Sequence, residues 1–433
     1  MLVELCGLLV VQQPITTSPG IQQMRTERIR RMATPAALFF ASALSTLCNA
    51  GDWPTWMGPN LDGVSHETGW SSDWPDSGLP QVWTKEIGTG FCSVSIVDGL
   101  LYTMGHSDGK ETIWCLQAET GDVVWSHFYY AELNANLYEG GPGSTPTVDG
   151  DFVYTLSIDG WLLCFHRKTG DGIWEKDLKV ELDVGLHEWG FNSSPLILGQ
   201  QVIVQGGRVV SFDKLTGEKN WQSAKHRAGY GSVRAFPHEG EDLLASLDCD
   251  GLRISRSTDG SQVAFQPWTS PFGTNSTTPI VAKDTIYISS GYNVGSGLFR
   301  LQDGKLQQIY RTKRMRNHFN NSILLDGYIY GMDGNSNLGR VVTLTCLNLD
   351  TGHVEWKQRG LGCGSLMIAN NRLLILTEDG QLVVADARPD EYTELARSAF
   401  LDGRCWTVPV LLDGRVYGRN AAGKLVCVQL PVE

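Results

Sequence analysis

Cys115-Leu-Gln-Ala-Glu-Thr-Gly-Asp-Val-Val-Trp125 is a phrase that the chain repeats with small changes. The further copies are Cys164-Phe-His-Arg-Lys-Thr-Gly-Asp-Gly-Ile-Trp174, Ser211-Phe-Asp-Lys-Leu-Thr-Gly-Glu-Lys-Asn-Trp221 and Cys346-Leu-Asn-Leu-Asp-Thr-Gly-His-Val-Glu-Trp356. In each copy a Thr-Gly turn separates a Cys or Ser from a Trp. A phrase that returns about every 40 to 50 residues indicates a repeat architecture.

Each repeat unit has the pattern of four short strands joined by tight turns. Turns such as Asp98-Gly99 and Asp149-Gly150 favour the positive φ of two-residue hairpins. One four-stranded sheet cannot bury both faces, whereas sheets packed around an axis can. The sequence therefore predicts an all-β fold, an eight-bladed β-propeller with four antiparallel strands per blade. Seven blades are the alternative, because the units that end near Tyr310 and Leu395 are degenerate; we place Phe265 at the Trp position of the fourth unit.

Closing aromatic residues are expected to dock between neighbouring blades. The last unit, residues 408–430, ends after its third strand, and residues 81–83 are expected to supply the missing outer strand. This closure would remove the last free edge of the ring. We therefore expect residues 78–433 to form one propeller and residues 51–77 to form a leading segment. The expected docking residues are Trp83, Trp125, Trp174, Trp221 and Trp356.

The first 50 residues have the pattern of an export signal. A basic stretch at residues 25–31 precedes an apolar run at residues 36–47, and small residues follow up to Ala50. The apolar run is too short for a stable membrane anchor. We expect a leader over residues 1–50, with the natural start at Met24 or Met32. The mature protein is then periplasmic or extracellular, with no transmembrane segment.

The sequence disfavours two kinds of attachment: general binding to nucleic acid or anionic membranes, and anchoring by a lipid. The net charge of −12 and the pI near 5.3 argue against a general nucleic-acid or anionic-membrane binder. A lipid anchor on Cys48 is not expected, because Leu47 stands where a small residue normally precedes a lipidated Cys.

The cysteines fall into two groups. One group occupies the same position in successive units and is expected to consist of small buried side chains: Cys115, Cys164, Cys346 and Cys427. The other group lies near the start of its repeat units: Cys92, Cys363 and Cys405. For these three cysteines, a disulfide or a thiol cluster is left as an alternative.

The phrase that ends in Thr-Gly-x-x-x-Trp resembles the tryptophan-docking repeat of the pyrroloquinoline quinone (PQQ)-type propellers. That superfamily includes quinoprotein alcohol dehydrogenases and the lipoprotein propeller of the outer-membrane assembly machine. Trp53-Pro-Thr-Trp-Met-Gly-Pro-Asn-Leu-Asp-Gly-Val-Ser65 and His187-Glu-Trp-Gly-Phe-Asn-Ser-Ser-Pro195 also resemble segments of exported bacterial proteins with this propeller. The resemblance covers nearly the whole chain after residue 50, and it implies the quinoprotein alcohol dehydrogenase-like fold.

The resemblance leaves both enzyme and scaffold open. A quinoprotein dehydrogenase needs cationic groups for the quinone carboxylates, a Ca²⁺ held by carboxylate and amide oxygens, and a carboxylate base. The alcohol dehydrogenases of the family also carry an adjacent Cys pair. This sequence has no Cys-Cys and no haem-attachment Cys-x-x-Cys-His. We therefore expect no catalytic residue, no metal and no cofactor. PQQ and Ca²⁺ are expected only under the alternative function, a PQQ-dependent dehydrogenase.

Three functions follow as expectations. The leading one is an exported binding or scaffold protein whose partner is an envelope protein or peptide. The alternative is a PQQ-dependent dehydrogenase of an alcohol or polyol. The third is a carbohydrate-binding or hydrolytic propeller.

Loops that lead into the first strand of each blade are expected to face the central funnel. Glu188 with Asn192 or Asn275 can offer oxygen ligands to a metal, or these amides can bind their own turns. Arg314 and Arg316 belong to a basic run that can hold an anionic ligand or an acidic peptide, or can be a solvated loop. The candidate binding residues are Glu188, Trp189, Asn192, Arg234, Asn275, Arg314, Arg316, His318, Arg404 and Trp406.

Overall fold

The computed structural model describes residues 51–336 and 342–433. The expected leader, with Met24, Met32 and Cys48, lies outside the described residues. The described strands form eight sheets of four antiparallel strands each, and one sheet gains a short parallel strand. The prediction of an eight-bladed, all-β propeller is confirmed, and the seven-bladed alternative is wrong.

The strands follow one another in blade order. Before the first blade lie β1 (Val64–Ser65) and β2 (Gln81–Glu86). Blade 1 contains β3 (Ser95–Val97), β4 (Leu100–Ser107), β5 (Lys110–Gln117) and β6 (Val123–Tyr130). Blade 2 contains β7 (Thr147–Asp149), β8 (Phe152–Leu156), β9 (Trp161–His166) and β10 (Gly172–Asp177). Blade 3 contains β11 (Leu196–Leu198), β12 (Gln201–Gln205), β13 (Val209–Asp213) and β14 (Lys219–Gln222). Blade 4 contains β15 (Arg234–His238), β16 (Glu241–Leu247), β17 (Gly251–Arg256) and β18 (Gln262–Pro267).

The second half of the ring repeats this order. Blade 5 contains β19 (Ile280–Ala282), β20 (Thr285–Ser290), β21 (Gly295–Gln302) and β22 (Lys305–Thr312). Blade 6 contains β23 (Ile323–Leu325), β24 (Tyr328–Asp333), β25 (Thr343–Asn348) and β26 (Val354–Gln358). Blade 7 contains β27 (Ser365–Ala369), β28 (Arg372–Leu376), β29 (Gln381–Asp386) and β30 (Glu394–Ala399). Blade 8 contains β31 (Val410–Leu412), β32 (Arg415–Arg419) and β33 (Lys424–Gln429), and β2 is its outer strand. A short helix, α1 (Leu178–Leu182), and a 3-10 turn, Pro271–Gly273, interrupt the strands.

The Thr-Gly turn of one blade receives the closing indole of the blade before it. The Trp125 Nε1–H donates to the Arg167 carbonyl at 2.7 Å, and a Cβ added to Gly170 would lie 2.7 Å from the same indole. The turn needs glycine for that reason and because its φ is +76°. Four other indoles donate to the next blade in the same way, namely Trp83 to Ala118, Trp174 to Lys214, Trp221 to Ser257 and Trp356 to Arg388, at 2.8 to 3.0 Å.

Blade 4 lacks this indole, and our placement of Phe265 at the closing position is wrong. The strand register pairs Ile254 with Ala264 at the position where the repeated phrase pairs Cys with Trp. Phe265 lies one residue further and pairs with Arg253, whose guanidinium stands 4.8 Å from its ring. Counting four residues from Gly260, as the phrase does from its glycine to its Trp, also leads to Ala264.

Two segments before blade 1 complete the ring. Strand β2 pairs antiparallel with β33, with Trp83 opposite Cys427. Residues 53–67 run beneath the inner strands and form a floor across one end of the central channel, where Trp56 contributes to the cavity above. The contacts of this floor are Trp53 with Ile96 of blade 1, Thr55 with Thr147 of blade 2, Asn60 with Arg234 of blade 4, Val64 with Ile368 of blade 7 and Glu67 with Asp413 of blade 8.

The cysteines of the described chain are all buried and unbridged. Cys92 therefore does not pair with Cys363 or Cys405. Its Sγ lies 3.4 Å from a guanidinium nitrogen of Arg419, which is itself buried in the wall between blades 8 and 1. No helix within residues 51–336 and 342–433 is long and apolar enough to cross a membrane.

Candidate functional site

The central channel holds a cavity of about 230 Å³ above the floor. The loops that enter the first strands supply most of its walls, where a ring of aromatic side chains stands among Ser, Thr and Asn residues. Neighbouring rings follow one another around the mouth at centroid distances of 4.3 to 5.9 Å. In order around the axis they are Trp189, Tyr138, Phe91, Trp406, Phe319, His318 and Tyr292.

A belt of hydrogen bonds surrounds the channel at the start of the inner strands. The backbone N–H of Thr145 donates to the Ser194 hydroxyl at 3.0 Å, and the N–H of Ser194 donates to the Ser232 hydroxyl at 2.9 Å. Each bond joins one blade to the next and satisfies a buried backbone donor. The same bond joins Ser93 to Thr145, Ser232 to Thr278, and Thr278 to Asn321, at 2.8 to 2.9 Å. The small polar segments before these blades therefore cross-link neighbouring blades, and each of these side-chain oxygens already accepts one hydrogen bond.

The cavity is uncharged over its described lining, which includes no Asp, Glu, Lys or Arg. Charges begin at the rim, where Arg404 forms a 2.7 Å ion pair with Glu139 and stacks 4.6 Å above the Trp406 ring. Inside, burial lowers the pKa of His318 to about 4, so its imidazole is neutral near pH 7. The His318 Nε2 lies 3.1 Å from the Tyr292 hydroxyl.

Four of the candidate binding residues line this cavity. They are Trp189, Asn192, His318 and Trp406. The two indoles form wall surface and leave the channel open at its mouth. The Asn192 amide donates to the Trp189 carbonyl at 2.7 Å and so fixes the loop that carries this ring. Arg404 stands beside them at the rim.

Three candidates lie elsewhere. Glu188 is exposed and does not belong to the lining. Arg234 lies at the floor, where its guanidinium donates to the Asn60 carbonyl at 2.6 Å. The buried Asn275 donates to the carbonyls of Asp248 and Trp268 and accepts from a serine hydroxyl, so its amide is fully used within the fold. The structure therefore does not bring Glu188 and Asn275 together as metal ligands.

The basic run after blade 5 is largely occupied by the fold. Arg316 forms a bidentate pair with the buried Asp333 at 2.7 and 3.0 Å, and Lys357 contacts the same carboxylate at 2.7 Å. Arg311 stacks 4.1 Å from the Trp268 ring. Arg314 is exposed. Because Arg316 is paired with Asp333, the two arginines do not form a joint anion site.

Sequence reasoning missed the Tyr292 ring, which lies between β20 and β21, and Trp56 in the floor. It also missed three aromatic wall residues in entry loops: Phe91, Tyr138 and Phe319. Each stands in a loop just ahead of the first strand of a blade, as Trp189 and Trp406 do. An aromatic residue at that position was the signal that could have found them.

A family model described as outer membrane protein assembly factor BamB matches residues 109–358, more than half of the chain. The chain belongs to this family. Two kinds of solved structure share the fold of this BamB-family chain. BamB from Moraxella catarrhalis has a TM-score of 0.57 and 16% identity, covering 81% of this chain and 98% of that chain. A europium-containing methanol dehydrogenase has a TM-score of 0.67 and 11% identity, covering 85% and 89%.

A quinohemoprotein alcohol dehydrogenase from Comamonas testosteroni is also similar, with a TM-score of 0.65 and 12% identity, covering 88% of this chain and 81% of that chain. At these identities the likeness shows the fold alone. The search of curated proteins gave no match. The BamB-family propeller thus has structural neighbours among both assembly factors and alcohol dehydrogenases.

The described lining does not fit PQQ with Ca²⁺. It offers aromatic faces for a flat ring system, but it presents no cation to the quinone carboxylates and no carboxylate to a Ca²⁺ ion. At the rim, the Glu139 carboxylate is already paired with Arg404. Within residues 51–336 and 342–433, no three His, Cys, Asp or Glu side chains cluster in a way that could hold a metal.

Proposed function

We propose that this BamB-family propeller is a binding protein of the cell envelope, which receives part of an envelope protein or peptide at the mouth of its channel. One observation carries the proposal: the cavity is closed below by residues 53–67, lined by aromatic rings and uncharged over its described lining. Concave, mostly apolar sites with a few polar groups are the usual form of a binding pocket.

The export pattern of residues 1–50 supports the location. We expect cleavage after Ala50, so that residues 51–77 lead into the propeller of residues 78–433 in the periplasm or outside the cell. Cleavage after Ala50 would keep residues 53–67, which form the floor, in the mature chain.

The alternative, a quinone-dependent dehydrogenase, is favoured by the position of the cavity on the axis between the Trp189 and Trp406 rings. It requires charged groups that the described lining does not supply. The purified protein should therefore show no stoichiometric uptake of PQQ with added Ca²⁺ and no dye-linked oxidation of alcohols. Stoichiometric quinone binding with turnover would replace the binding role by the enzymatic one.

Site-directed photo-crosslinking tests the binding role. Leu137 lies in the cavity lining at the mouth and is 82% exposed, whereas Phe128 is 52% exposed on the outer strand of blade 1. With p-benzoylphenylalanine at each position in turn, crosslinks to an envelope protein should form from position 137 and not from position 128. Crosslinks from position 128 alone would move the binding surface to the outer edge and contradict the proposal.

A further inference from the structure

We infer that the cavity accepts an uncharged apolar side chain, aromatic or aliphatic, that a peptide segment of the partner inserts through the mouth. The inference rests on the proposed function and names the chemistry of the part that is bound. It follows from the uncharged lining, from the hydrogen bonds that the belt hydroxyls already accept, and from the apolar lip around the mouth.

The lining selects against charge. An ionised side chain would lose its water among rings such as Phe91, Phe319 and Trp406, and no described lining residue could neutralise it. An aromatic side chain would instead find faces and edges at the spacing that the rings already keep with one another, for example 4.3 Å between Phe319 and Trp406. Apolar surface removed from water then supplies the driving force.

The hydrogen bonds already made by the lining hydroxyls disfavour a saccharide as the ligand. The hydroxyls of Ser194, Ser232 and Thr278 already accept from the belt N–H groups. A sugar ring brings several hydroxyls, and each would lose free energy if it were buried without a partner. In contrast, a peptide segment brings one N–H and one C=O per residue.

The lip extends the apolar surface outward. Leu137 and Phe272 are 82% and 72% exposed, and both hold the left-handed backbone conformation, with φ of 63° and 66°. Non-glycine residues rarely adopt this conformation, and bulky ones are strained in it. Phe272 stacks edge to face on Tyr292 at 5.2 Å, so the lip is continuous with the cavity wall. A partner that also covers the lip must be larger than a single sugar, and a peptide meets that condition.

Capped nonapeptides with a single variable residue test the inference. Each probe is acetylated and amidated and carries four glycines on either side of the central residue, which is Phe, Trp, Leu, Ala, Glu or Lys. Binding is measured by ligand-observed NMR at pH 7, with maltotriose as a comparison. Burial of a large apolar side chain should give the Phe, Trp or Leu peptides about 10-fold or greater affinity over the Ala, Glu and Lys peptides. Maltotriose should not compete.

Variants then locate the binding. Trp189→Ala removes a wall ring, and Phe272→Ala removes the lip ring; each should weaken the best peptide by about 3-fold or more. Phe128→Ala removes an exposed ring on the outer edge and is the matched control, which should leave the affinity unchanged. The fold of each variant is checked by circular dichroism.

The outcomes separate the inference from the proposed function. Preference for the Glu or Lys peptide, or displacement of the peptide by maltotriose, would overturn the inference. Absence of any peptide binding together with crosslinks from position 137 would also overturn it and leave the proposed function standing. Absence of those crosslinks contradicts the proposed function itself.

Discussion

Docking of Trp125 on Gly170 makes a prediction that one double-mutant cycle can decide. Trp125 is buried between blades 1 and 2, donates to the Arg167 carbonyl at 2.7 Å, and lies about 6 Å from the Tyr102 and Phe165 rings. Trp125→Ala should lower the free energy of unfolding by about 3 to 5 kcal/mol, as for other large aromatic core sites. About 1 kcal/mol of that loss belongs to the hydrogen bond.

Gly170→Ala tests the other half of the contact. The φ of +76° disfavours any side chain by about 1 kcal/mol. The new Cβ would also meet the indole at 2.7 Å, which adds about 1 to 3 kcal/mol of overpacking. When Trp125 is already Ala, the overlap disappears and only the backbone term remains. The two changes should therefore couple by about 1 to 3 kcal/mol, with the double variant more stable than the sum predicts.

Urea unfolding followed by far-UV circular dichroism measures the cycle without relying on the altered indole signal. Gly172→Ala is the matched control, since that glycine has ordinary φ and a Cβ added there would meet no atom within 4 Å. It should cost no stability. If Gly170→Ala loses the same free energy with and without the Trp125 indole, to within about 0.5 kcal/mol, docking on the glycine is not what holds these blades together.

Three further predictions concern single sites. Ser194→Ala should lose about 1 to 3 kcal/mol of unfolding free energy, because the buried Thr145 N–H is left unpaired, whereas Ser194→Thr keeps a hydroxyl and should recover much of it in urea melts. Burial raises the pKa of Glu111 from 4.5 to about 8 in the folded protein, so the stability that its protonated form contributes is present below pH 4.5 and is lost as pH rises towards 8. The glutamine of Glu111→Gln cannot ionise. The free energy of unfolding of this variant should therefore rise relative to that of the wild type by up to about 1.4 kcal/mol per pH unit between pH 5 and 8; a pH-independent difference would contradict this. Arg316→Ala should lower the melting temperature because it strips a partner from a buried carboxylate, while the exposed Arg314→Ala should not; equal effects would mean that the ion pair is unimportant.

The blades were predictable because their signals are local. The Cys-to-Trp phrase fixes a hairpin, and its spacing places each indole opposite its strand partner, as Trp125 is opposite Cys115. Two closing positions were misread. Phe265 came from aligning by aromatic type when the four-residue spacing from Gly260 indicated Ala264, and in blade 7 the register places Ala396, not Leu395, at this position. A local count therefore carried more information than residue type.

The site was harder to predict because contacts between residues far apart in the sequence determine its geometry. Nothing near Arg316 in the sequence shows that Asp333, 17 residues later, will neutralise it. Arg234, expected in a loop that faces the funnel, is the first residue of an inner strand, and its guanidinium donates to the Asn60 carbonyl in the segment that crosses beneath the channel. Which end of a propeller channel is open depends on where a distant terminal segment lies, and repeat periodicity contains no information on that.

The arrangement of belt, floor and rings explains how one propeller can be specialised without being destabilised. The belt joins blades through backbone N–H groups and small side chains such as Ser194, so these cross-links do not use the aromatic side chains at the mouth. The floor closes one end with a segment outside the repeats. The half-buried rings of Trp406 and Phe91 sit above both and are not part of the buried blade cores. Substitutions there should change what enters the cavity and leave the ring of sheets intact, which is the separation between scaffold and site that a binding propeller requires.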